Sequence, residues 1–114
     1  MRLKSAIWVS ALLRRANGAG AFAAVRRRGA EEAGAIFVKV ATLDGCAALY
    51  GAALPSLEAE PAPGVRFFAP ILPAGSAEAD VEARMAREIG FDPDLWFVEI
   101  EDRAGRSFLE ISAD

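Results

Sequence analysis

The sequence predicts an α+β domain: a largely antiparallel sheet made of a three-strand meander, a further strand and a C-terminal hairpin, with two helices covering one face. Three observations lead there. Apolar residues recur at helical spacing twice, as Trp8/Leu12/Ala16 and as Val81/Met85/Ile89. Between and after them run short β-branched and aromatic segments bounded by Gly, Pro and Asp. The resulting order, helix, three strands, strand, helix, two strands, is antiparallel-rich.

The first helix is expected from about Lys4 to Ala16, ending at Asn17-Gly18, with Arg14 and Arg15 near the negative end of its dipole. Its basic start and apolar middle imitate a signal peptide. Arg14-Arg15 follow directly where a cleavage region is uncharged, so the helix is read as a retained part of the domain. Residues 21–28, 34–42 and 46–52 read as the meander. Asp44-Gly45 is a strong two-residue hairpin signal between the last two. Ile36, Val38 and Val40 point to one face and Phe37 and Lys39 to the other, which suits a central strand.

Residues 53–64, rich in Pro, Ala and Glu, read as a long loop. Strand character resumes at residues 65–69 and is expected to stop at Pro70, at a sheet edge. Ser76 is the expected N-cap of a second helix running to about Ile89, with Gly90 as its stop and Phe91 folding back onto the last turn. Leu95–Asp102 and Arg106–Ile111 are expected to form the final hairpin. Gly105 takes its left-handed position and Asp102 lies opposite Arg106.

At 114 residues there is room for one domain, spanning 1–114, and one core. The bulky groups expected to fill it are Trp8, Leu12, Phe22, Ile36, Phe37, Phe67, Phe68, Leu95, Trp96, Phe97 and Phe108. Trp8, Trp96 and Tyr50 are read as core and not as pocket lining. No apolar run approaches the roughly 20 residues of a membrane span, so the chain is expected to be cytoplasmic, without a membrane partner.

The net charge of −3 hides an uneven distribution. Residues 1–57 hold eight basic and three acidic side chains, and residues 58–114 hold five basic and thirteen acidic. The two halves are expected to neutralise each other on folding.

There is no histidine and a single cysteine, Cys46. That removes His-dependent triads, imidazole ligation and disulfides, and no cofactor or metal is expected. No glycine run follows a strand and opens a helix, as a phosphate loop requires. No serine or threonine sits in a nucleophile elbow, and there is no histidine to activate one. Two charged groups remain. Arg26 and Arg28, alternate residues on a strand and so on one face, form with Lys39 the candidate ligand-binding set for a phosphate or carboxylate. The competing reading is an edge strand guarded by charge. Glu99 and Glu101 share the other candidate face, read as solvated acids with Val98 and Ile100 inward.

Several segments carry a resemblance: Met1-Arg2-Leu3-Lys4 leading to Ile7-Trp8-Val9, Leu12-Leu13-Arg14-Arg15, Gly34-Ala35-Ile36-Phe37-Val38-Lys39-Val40, Leu43-Asp44-Gly45, and above all Phe91-Asp92-Pro93-Asp94-Leu95-Trp96-Phe97-Val98-Glu99-Ile100-Glu101-Asp102. On these the chain resembles the uncharacterised bacterial family catalogued as domain of unknown function 1491. The resemblance implies that the first helix belongs to the domain, and it contributes no catalytic residue. The favoured function is a non-catalytic binding or protein-interaction domain with a protein partner or a second copy of itself. The alternatives are an anion- or nucleic-acid-binding module using Arg26, Arg28 and Lys39, and a metal-free enzyme using carboxylates and arginines.

Overall fold

A computed structural model describes residues 3–53 and 64–112. It contains helices α1 (Ser5–Gly18) and α2 (Glu78–Phe91) and strands β1 (Phe22–Arg27), β2 (Ile36–Ala41), β3 (Cys46–Ala52), β4 (Phe67–Ala77), β5 (Trp96–Glu101) and β6 (Glu110–Ile111). The loop expected over 53–64 falls on residues 54–63, outside the described residues. No helix among the described residues is long and apolar enough to cross a membrane.

The α+β class holds, but the sheet is mixed and not largely antiparallel. Its strand order is β1-β5-β2-β3-β4-β6. β1–β5, β2–β3 and β3–β4 pair antiparallel, while β2–β5 and β4–β6 pair parallel. The first three strands therefore form no meander, because β5 enters between β1 and β2. β5 buries Trp96 and Val98 on one face and Phe97 on the other, so it needs cover on both faces and neighbours on both edges. β1 carries Phe22 at 61% exposure and Arg26, and sits at the rim.

No C-terminal hairpin forms either, since both ladders of β5 are already occupied. The turn after it is as expected: Gly105 has φ +75° and Asp102 takes a bidentate pair from Arg106, with Nη2–Oδ1 at 2.8 Å and Nε–Oδ2 at 3.0 Å. The chain then passes the end of α1, where Arg15 donates to the Phe108 carbonyl at 3.1 Å, and adds β6 beside β4.

The helices lie on opposite faces of the sheet. α1 packs Trp8, Val9, Leu12 and Ala16 against Ile36, Val38, Val40, Val98 and Ile100. α2 packs Val81 and Met85 against Ala41, Ala47, Leu49 and Phe97. A sheet whose strands are apolar on both faces cannot leave one bare, which is why one helix covers each.

Helix ends differ from expectation in instructive ways. The first N–H groups of α1 are satisfied by loop carbonyls: Ser5 N–H donates to Glu32 and Ala6 N–H to Glu31, both at 3.0 Å. Ser5 Oγ donates to Gly34 O at 2.7 Å. Asn17 does not stop α1 by its own backbone. Its carboxamide instead clamps the edge of β1, accepting from Ala23 N–H at 2.9 Å and donating to Ala23 O at 3.1 Å. Ser76 belongs to β4 and does not cap α2, which starts at Glu78 after Ala77. α2 runs through Gly90 to Phe91, whose ring stands out at 87% exposure and does not fold back. β4 likewise continues through Pro70 and Pro73, with β6 covering only its first two residues. Phe67, at 43% exposure, joins Phe22 and Phe91 outside the core.

The loop between β1 and β2 locks onto the segment entering β5. Ala30 N–H donates to Asp94 O at 2.8 Å and Trp96 Nε1 to Ala30 O at 2.8 Å. The backbones approach so closely that a Cβ on Gly34 lies 2.5 Å from the Asp94 carbonyl oxygen, and one on Gly29 is closer still.

Candidate functional site

The site begins with an irregularity in β1. Val25 lies opposite Val98, and the next register pair is Arg27 with Phe97, so Arg26 is the extra residue of a bulge. Strand alternation expects Arg26 and Arg28 on one face. The bulge undoes that. Arg26 lies over the Phe97 ring at 4.8 Å, on the α2 side, whereas Arg28 lies over Trp96 at 5.1 Å, on the α1 side. Of the three sequence-predicted residues, Arg26 and Lys39 come together and Arg28 stands apart.

Arg26 and Lys39 are ringed by carboxylates. Arg26 bonds both oxygens of Glu82, at 2.8 and 3.0 Å, and Glu99 at 2.6 Å. Lys39, at 2% exposure, has Nζ at 2.7 Å from Glu78, 2.6 Å from Glu82 and 3.4 Å from Glu99. Its ammonium group bonds Glu78 and Glu82 and faces the charge of Glu99. Glu99 is therefore no solvated acid. It faces the two cations beside it in the sheet, as its register opposite Ala24 and Lys39 requires. Glu101 shares its face but makes no ion pair among the described residues.

Electrostatics follow the geometry. The hydrogen bond from Arg26 outweighs the partial burial of Glu82, and with Lys39 holds its pKa down to about 2. Burial works to lower the Lys39 pKa, yet the hydrogen bonds to Glu78 and Glu82 and the charge of Glu99 carry it upward. The hydrogen bond to Glu82 raises Arg26 most, partial burial works against it, and Glu99 adds a further upward push. Arg26, Lys39 and Glu82 are thus held in their charged forms, and none of the three is poised to exchange a proton near neutrality.

Beside this network lies a cleft of about 300 Å³ between β1 and α2. Arg26, Arg27 and Glu82 form its rim over Met85, Ile89 and Phe97. The bulge is what brings two consecutive arginines to one cleft. Arg27 differs from Arg26 in its partners: Nη2 donates to the Pro93 carbonyl at 2.9 Å, while Nε is buried without an acceptor. No carboxylate among the described residues pairs with it. Sequence reasoning passed over both Arg27 and Glu82. A bulge leaves no compositional mark, and Glu82 looks like one more exposed helix acid.

Cys46 opens β3 half-buried. Among the described residues no group of three or more His, Cys, Asp or Glu is arranged to hold a metal ion.

The comparisons with known proteins agree with this architecture. A family model described as "Protein of unknown function (DUF1491)" matches residues 3–110. A crystal structure of a DUF1491 family protein from Caulobacter crescentus is 40% identical, with a TM-score of 0.81, covering 99% of this chain and 100% of that one. A solution structure of an A. tumefaciens protein is 43% identical, also at 0.81, covering 100% of this chain and 98% of that one. An NMR structure of a DUF1491 family protein from C. crescentus is 41% identical, at 0.80, covering 99% of each. No curated protein is similar to the chain.

Proposed function

The chain belongs to the DUF1491 family, whose description assigns no activity, and from that premise we propose that it is a non-catalytic binding domain that recognises another protein. The observation that carries this reading is the closure of its densest charge cluster. Arg26 and Lys39 give their donors to Glu78, Glu82 and Glu99. A cluster so paired braces α2 against the sheet and offers neither a free base nor an open anion site. Large apolar side chains stand outward instead, Phe22 on the rim strand and Phe91 at the end of α2. The anion-binding alternative draws less support, because two of its three residues are neutralised within the fold. The enzyme alternative has carboxylates, but ones locked against arginine and lysine.

The test is photocross-linking in the native cell from a benzophenone amino acid at Phe22, Phe91 or, as control, Ser107. The expected result is one discrete adduct from Phe91 or Phe22 and none from Ser107. No adduct at either position overturns the reading. Polarisation titrations of labelled oligonucleotides test the alternative. Binding no tighter than about micromolar at physiological salt is expected. Nanomolar binding that vanishes in R27E/R28E replaces the present proposal.

A further inference from the structure

We propose that the cleft between β1 and α2 binds an apolar carboxylate, an aliphatic or aromatic group bearing one carboxylate, as a free acid or as the end of a peptide chain. This deepens the binding-domain reading and rests on it.

Three features select that ligand. The first is shape: about 300 Å³ is at the lower end of small-molecule sites, room for a ring or short aliphatic chain and not for a nucleotide. The second is the floor, where half-buried Ile89 gives an apolar group a surface to cover beside the buried Met85 and Phe97. The third is the rim's unequal pair of guanidiniums. Arg26 is held by Glu82 and Glu99, with its guanidinium carbon 4.8 Å from the centre of the Phe97 ring. Among the described residues, Arg27 has a carbonyl for its only hydrogen-bonding partner. A guanidinium in that state matches a carboxylate, which takes two of its N–H groups side by side.

The rim also sets the ligand's charge. Arg26 is offset by Glu82 and Glu99, so the cleft presents the single positive charge of Arg27. Glu82 in the wall opposes a dianion, which disfavours phosphate. One carboxylate on an apolar body satisfies the charge, the floor and the volume together.

The experiment is a titration followed by the methyl resonances of Met85 and Ile89. Its probes are N-acetyl-phenylalanine and N-acetyl-phenylalaninamide, then a hexapeptide ending in Phe with a free or amidated terminus. The acid is expected to shift both methyls and bind about tenfold tighter than the amide. R27Q is expected to abolish that preference with its circular dichroism unchanged. A86W, at an exposed position on the cleft wall, is expected to block both forms. Saturation by the free amino-acid derivative assigns a small-molecule acid. Binding of the hexapeptide alone assigns a chain terminus. Equal affinity for acid and amide, indifference to R27Q, or no shift with any probe overturns the proposal. The photocross-linking result stands apart from all of these: an adduct with no acid preference keeps the binding domain and discards this ligand.

Discussion

Leu43 sits in a backbone conformation that its side chain resists. Its φ is +64° in the turn between β2 and β3, with the side chain half out in solvent. A left-handed leucine costs about 1 kcal/mol, and asparagine tolerates the same backbone. L43N is therefore expected to stabilise the fold by about 0.5–1 kcal/mol in urea denaturation. Gly29 is the opposite case, a residue that nothing larger can replace, because any Cβ meets the backbone of Asp94 and Leu95. G29A is expected to cost about 2–3 kcal/mol by the same measurement. The hairpin at Asp44-Gly45 was legible in the sequence. Of the pair, Gly45 takes a positive φ as Asp-Gly suggests, but the other positive φ falls on Leu43 and not on Asp44. Asp44 instead accepts from Thr42 Oγ1 at 2.6 Å and from Cys46 N–H at 3.1 Å, which holds its carboxyl below the usual range. Turn residues announce a reversal, and side-chain bonds then decide which of them bears the strain.

At the scale of the element, α2 is fastened by charge along one flank and by Val81 and Met85 beneath. Glu82 titrates near 2 in the folded protein against 4.5 in its unperturbed state. Its contribution is thus complete above the unfolded value and is lost as the pH falls through about 2. The melting temperature is expected to drop steadily from pH 5 to pH 2, and to drop less steeply in E82Q, as followed by circular dichroism. At pH 7, E82Q is expected to lower the melting temperature and to speed amide exchange in α2 more than in α1. Both helices were legible from their apolar spacing, and Lys39 was correctly set on the face opposite Val38. Its partners were not legible, since Glu78 reads as a first-turn acid suited to the helix dipole and Glu99 as an outward strand residue. The apolar residues on both faces of Ile36–Ala41 were the available sign that the helices divide between the faces.

For the whole molecule, the basic and acidic halves of the sequence meet as expected. Every link of the Arg26/Lys39 network joins residues 1–57 to residues 58–114. The strand order was beyond reach because local patterning fixes which segments are strands and turns, but not which strand takes the gap between two others. β5 takes it, and its place has a consequence for how the protein is made. The strand at the heart of the sheet leaves the ribosome after β1 to β4, so the earlier strands are synthesised without the one that joins β1 to β2. A fragment ending at Asp92 is expected to show no cooperative thermal transition by circular dichroism, although it carries both helices and four of the six strands. The nascent chain has a hydrophobic slot and no insert for it until β5 has been synthesised. Folding is thereby tied to synthesis of β5, and a message truncated before Trp96 yields protein for the cell's proteases and not a smaller working domain.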